Sequence, residues 1–85
     1  MGFQETFKAL SDGVRREILL MLRDGKKSAG EIASCFDMTN ATVSYHLSIL
    51  KKVNMVSERK YKNYIYYTLN LKGVEDTMSW FNRFR

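Results

Sequence analysis

Apolar side chains recur at helical spacing through the first half of the chain and at two-residue spacing beyond it. Phe3, Phe7 and Leu10 share one side of a short stretch with Thr6, so the spacing predicts a first helix over Phe3 to Leu10. Ser11-Asp12-Gly13 reads as a break and an N-cap. Val14, Ile18, Leu19 and Leu22 then mark a second helix from Val14 to Arg23, stopped at Asp24-Gly25. Ser28 followed by Glu31 matches a capping box, in which each side chain satisfies an orphan backbone N–H of the other. It opens a third helix from Ala29 to about Phe36, with Ile32, Ala33 and Phe36 inward. Asp37-Met38 makes a tight turn and Thr39 caps a fourth helix, Asn40 to about Val53, on a stripe of Val43, Leu47 and Leu50. Asn54 suits the left-handed position that ends it.

Past Asn54 the period shortens to two. Met55–Arg59 and Tyr64–Leu69 are rich in β-branched and aromatic residues, and Lys60–Asn63 between them is a basic hairpin tip. Asn70 to Gly73 reads as a second break. A last helix from Val74 to Phe84 puts Val74, Met78, Phe81, Trp80 and Phe84 on one broad apolar side. The order is α1-α2-α3-α4-β-β-α5, mostly helical with a small β-hairpin. Two short helices joined by a tight turn and followed by a basic hairpin describe a winged helix-turn-helix. At 85 residues it forms a single domain, 1–85.

Charge sharpens this picture through its position. The chain carries a net +5. Residues 39–72 hold Lys51, Lys52, Arg59, Lys60, Lys62 and Lys72 against Glu58 alone, while the stretches on either side balance their own charges. A surplus confined to one third of the chain fits a surface that faces a polyanion, where each phosphate contact releases condensed counterions. A solvated basic face with no partner would show the same count.

The fold pattern discriminates between them. With Val43, Leu47 and Leu50 inward, the fourth helix turns Asn40, Ala41, Thr42, Ser44, Tyr45 and Ser48 outward, beside the capping Thr39. These are short hydrogen-bonding side chains and one phenol, with no acid to repel phosphate. Their modest helix propensity makes an idle face of this composition costly. A recognition helix touches base edges with such N-terminal residues, and its dipole can meet a phosphate. Arg59, Lys60, Tyr61, Lys62 and Asn63 fit a wing that touches phosphates or the adjacent minor groove, although basic residues also guard exposed strands against aggregation. Arg15 and Arg16 of the second helix are candidates for gripping DNA backbone. Phe3, Phe7, Met78, Trp80, Phe81 and Phe84 exceed what one small domain easily covers, and a dimer seam is the favoured use. Monomer core and a membrane-surface helix flanked by Arg83 and Arg85 are the other two.

Phe7-Lys8-Ala9-Leu10-Ser11-Asp12, Arg15-Arg16-Glu17-Ile18-Leu19, Val43 through Lys51 and Tyr64 through Leu69 resemble the signature blocks of ArsR-family bacterial repressors. Compactness and the Trp80-bearing tail resemble its SdpR-like autorepressor branch. The resemblance implies a homodimer held by terminal helices, here 1–10 and 74–85, on a palindromic operator near its own promoter. Gly13 stands where the family usually has proline. The thiolate pair of its arsenic and cadmium sensors would fall at about Ser28 and Gly30, neither a soft ligand. The zinc sensors' last helix carries histidine, and residues 74–84 have none. His46 matches a histidine common in the family's recognition helix, where it serves as a DNA-side residue or a structural hydrogen-bonding group.

These readings converge on a sequence-specific, double-stranded DNA-binding repressor. No metal, cofactor or small-molecule substrate is expected, nor catalysis, since no nucleophile–base pair or phosphate-cradling loop is present. The alternative is a winged-helix protein-interaction module without specific DNA binding. One cysteine, Cys35, and no apolar run approaching about 20 residues point to a cytoplasmic protein. Cys35 is expected to be buried. Release from the operator by a protein inducer, membrane-bound or otherwise, stays open.

Overall fold

In the computed structural model, which describes residues 2–85, the chain runs α1 (Phe3–Leu10), α2 (Gly13–Leu22), β1 (Lys27–Ser28), α3 (Ala29–Phe36), α4 (Asn40–Lys52), β2 (Val56–Tyr61), β3 (Tyr64–Leu69) and α5 (Leu71–Phe81), closing with a 3-10 turn at Asn82–Phe84. The fold is the winged helix-turn-helix its periodicity predicts. The strands form one antiparallel sheet in the order β1-β3-β2, with Lys27 opposite Tyr67 and Val56 opposite Leu69. Ile18 and Leu22 of α2, Ile32 and Ala33 of α3, and Val43, Leu47 and Leu50 of α4 close over Val56 and Tyr67 from the sheet. This core fixes which side of α4 is left open.

Side-chain caps start α2, α3, α4 and α5. Asp12 Oδ1 accepts from the N–H groups of Val14 and Arg15 at 2.8 and 3.2 Å. Ser28 and Glu31 exchange both bonds of the predicted capping box. Thr39 Oγ1 accepts from Thr42 N at 3.1 Å. Asn54 ends the α4 segment with φ 63°, the left-handed turn its position suggests, and Asp37 does the same after α3 with φ 53°.

Four features depart from the sequence reading. The two-residue strand β1 is too short to leave a period, and exists only because β3 offers it an edge. The hairpin strands extend to a two-residue connection, Lys62-Asn63, with Lys62 at φ 56°, so the tip is tighter than Lys60–Asn63. Asn70 to Gly73 is no break: Asn70 Oδ1 accepts from Gly73 N and caps α5, which starts three residues early and gives way to the 3-10 turn after Phe81. Cys35 is exposed on the outer side of α3, because Ile32 and Ala33 take the buried positions.

The caps make stability depend on acid. The backbone N–H of Arg15 holds the Asp12 carboxyl below its ordinary value, and the Ser28 N–H does so for Glu31. Groups depressed in the folded state stabilise it above the ordinary carboxylate range, about pH 4, and lose that contribution as pH falls through their lower folded values. The urea midpoint should therefore drop between pH 7 and pH 3, as roughly bracketing that range. Asp12→Ala should lower the neutral midpoint and flatten the acid decline; an identical decline in the variant would remove Asp12 from the account.

Candidate nucleic-acid interface

α4 presents Asn40, Ala41, Thr42, Ser44, Tyr45 and Ser48 to solvent, with Tyr45 62% exposed. The Thr39 and Thr42 hydroxyls lie 3.0 Å apart, and Ser48 Oγ donates to Tyr45 O at 2.7 Å. The cap leaves the positive end of the helix dipole facing the same side. From Met38 to Ser57 the chain has no acid.

His46 faces the other way. It is 8% exposed, and its Nδ1 lies 3.3 Å from Arg15 Nη1. Arginine only donates, so in this contact Nδ1 is the accepting nitrogen. Arg15 Nε also donates to Ala9 O at the end of α1, at 2.7 Å. Both residues are engaged inside the protomer, where they tie α1, α2 and α4 together, which matches the structural of the two roles read for His46. Arg16 donates to Leu10 O at 2.8 Å yet remains exposed, so its charge is still available outside.

At the wing, Arg59, Lys60, Tyr61, Lys62 and Asn63 are all exposed. Glu58, the one acid of the basic stretch, is paired with Lys51 at the wing's root, and that bond holds its carboxyl below the ordinary value. Burial, with Glu58 beside it, pushes the Tyr67 phenol up. Among the described residues the ion pairs are Lys51–Glu58 and Lys72–Asp76, so Lys52, Arg59, Lys60 and Lys62 carry uncompensated charge around α4 and the hairpin.

The terminal aromatics interleave within the protomer. Phe7 stands 5.1 Å from Trp80 and 5.7 Å from Phe81 between ring centres, and Phe3 stacks on Phe7 at 6.1 Å. Phe3, Phe7 and Trp80 are consequently half-covered, whereas Met78, Phe81 and Phe84 remain open. Leu20 and Leu71 are exposed apolar side chains as well. Sequence reasoning missed both, since Leu20 lies off the α2 stripe and Leu71 falls in the supposed break.

At the positions where relatives' thiolates would fall, Ser28 is engaged as the α3 cap and Gly30 has no side chain. Among the described residues no three His, Cys, Asp or Glu side chains gather as metal ligands, and no helix is long and apolar enough to cross a membrane.

Residues 10–59 match a helix-turn-helix domain family. The transcriptional repressor SdpR of Bacillus subtilis is 40% identical over 78 residues, covering 92% of this chain and 87% of that protein. The arsenical resistance operon repressor of the same organism is 33% identical, covering 91% and 74%. Among solved structures, the homodimeric winged helix-turn-helix DNA-binding domain of a possible ArsR-family transcriptional regulator from Mycobacterium bovis superposes with a TM-score of 0.80 at 28% identity, covering 93% of this chain and 73% of that one.

Proposed function

The chain belongs to the ArsR family of winged helix-turn-helix transcriptional regulators, DNA-binding proteins rather than enzymes, and from that premise we propose that it is a homodimeric repressor that occupies a palindromic operator, its own promoter among the targets. The observation that carries this reading is the open, acid-free face of α4 lying beside four uncompensated cations. Thr42, Ser44, Tyr45 and Ser48, with Asn40 and Ala41, reach base edges in the major groove, and Thr39 sits at the phosphate end. Arg59, Lys60, Tyr61, Lys62 and Asn63 bear on backbone or the neighbouring minor groove, and Arg16 adds a backbone contact.

The dimer forms on the first and last helices, through Met78, Phe81 and Phe84, stiffened from behind by Phe3, Phe7 and Trp80. Twofold symmetry then sets two recognition helices about 34 Å apart, one helical turn of DNA. Repression follows from occupancy: polymerase is excluded while the operator is covered. Soft-metal release is disfavoured by the donor chemistry of Ser28 and Gly30, which favours release by a protein partner or by falling concentration.

Duplexes selected from a random pool provide the test. The preferred site should be an inverted repeat, and Thr42→Ala with Tyr45→Ala should lose about 10- to 100-fold of the preference over scrambled duplex while keeping the dimer. Lys60→Ala with Lys62→Ala should instead weaken all duplexes alike and reduce the log–log salt slope by roughly 1.8. Absence of duplex binding at low salt would transfer the α4 face to a protein partner.

A further inference from the structure

The hairpin has a second side, of which duplex binding at the tip would engage only Arg59 and Tyr61. Alternation along the paired strands puts Ser57, Arg59 and Tyr61 of β2 opposite Thr68, Tyr66 and Tyr64 of β3, all on the face turned away from the core. Tyr61 and Tyr64 are each 60% exposed. Lys26 Nζ lies 4.9 Å from the centre of the Tyr66 ring, and Lys62 Nζ 5.5 Å from that of Tyr61. A groove of about 420 Å³ runs across this face between Lys26, Arg59, Tyr61 and Tyr66. Glu58 reaches its edge, but its charge is taken by Lys51.

Exposed phenols are poor choices for a face meant only for water. Rings with cations at their margins match a ligand that alternates flat apolar surfaces with negative charge. Paired bases cannot use them, since their faces are stacked inside the duplex. The Tyr64 and Tyr66 ring centres are 6.2 Å apart, nearly twice the rise of about 3.4 Å between stacked bases in one strand. The spacing therefore suits a strand whose bases have been drawn apart.

We propose that this outer face of the wing binds single-stranded DNA, with bases stacked on Tyr61, Tyr64 and Tyr66 and phosphates met by Lys26 and Arg59. Stacking on tyrosine tolerates any base, so affinity rather than sequence choice is its contribution. The operator-reading face of α4 is not used; Arg59 and Tyr61 are shared with the wing's duplex contact, whereas Lys26, Tyr64 and Tyr66 belong to this inference alone.

The test uses the whole chain and fluorescent strands of about 12 nucleotides, a length near the span of known stacking platforms. A thymidine strand should bind about tenfold or more tightly than an abasic strand of equal charge. Tyr64→Val with Tyr66→Val keeps strand propensity and removes two rings; it should weaken the thymidine strand about 10- to 100-fold while its affinity for the selected duplex stays at the wild-type value. Amide shifts on adding the thymidine strand should move at β1, β2 and β3 and not along Asn40–Ser48. Equal binding of abasic and thymidine strands, unaltered binding by the tyrosine variant, or shifts confined to α4 would each overturn the proposal. A chain that binds the thymidine strand but no duplex would instead reject the operator reading and keep this one.

Discussion

Gly73→Ala is expected to destabilise the protein by about 3 kcal/mol, although helix propensity alone argues the opposite sign. In the first turn of α5, a Cβ at position 73 would overlap the Asn54 carbonyl oxygen, with Asn54 Cβ a further 3.5 Å neighbour. That oxygen is main chain, held by the left-handed Asn54 at the end of α4 and by the Asn70 N to Met55 O bond of 3.0 Å beside it, so nothing nearby can swing aside. Replacing glycine by alanine in an open helix gains up to about 1 kcal/mol, and overpacking costs about 1–3 or more. Here the clash wins, and α5 must lift away. Gly30→Ala supplies the comparison, because its added methyl would meet only Ser28 Oγ at 3.9 Å. That variant should be neutral or stabilised by about 0.5 kcal/mol. Chemical denaturation of both settles the sign. Because α5 carries the proposed seam, Gly73→Ala should also lose the dimer in ultracentrifugation and, with it, most operator affinity. A stable, dimeric Gly73→Ala protein would mean that α5 does not rest on Asn54.

Arg15→Met should cost about 2–3 kcal/mol, since it leaves Ala9 O and His46 Nδ1 half-buried with no donor while preserving the apolar stem of the side chain. The effect should couple to His46→Leu. Two substitutions breaking one contact do not add, and a double-mutant cycle should return a coupling of about 1 kcal/mol or more. Operator affinity should fall with stability, yet the salt slope should stay unchanged. That last quantity separates the latch from the role the sequence alone suggests for Arg15: a phosphate contact removed would lower the slope by about 0.9 and leave stability intact. Such a result, with additive single variants, would return Arg15 to the DNA surface.

Helices that bury one stripe were legible from residue order, and so were the caps at Asp12, Ser28 and Thr39, because the period and the capping chemistry are local. The outward set on α4 followed from knowing only Val43, Leu47 and Leu50. What escaped depends on residues far apart in the chain. Gly73 looks like a helix breaker until the Asn54 carbonyl comes into view, and Lys27-Ser28 has no strand character apart from the edge of β3. Arg15 has the chemistry of a phosphate ligand, and only folding brings Ala9 O and His46 within reach of it. Cys35 was misread because its residue type is usually buried, whereas its helix position is decided by Ile32 and Ala33.

The brevity of β1 has a mechanical result. Its two residues pair with Tyr66 and Tyr67 only, so β3 has a neighbour on both sides there while Tyr61 through Ile65 overhang beyond it like a cantilever. Ser28 belongs to that pairing and to the start of α3 at once, which makes the ribbon's root and the helix pair a single stiff piece. Any give in the arm is therefore concentrated at its charged end, which in the proposed complex meets phosphates whose position varies from one site to the next, and is withheld from the helix proposed to read the bases.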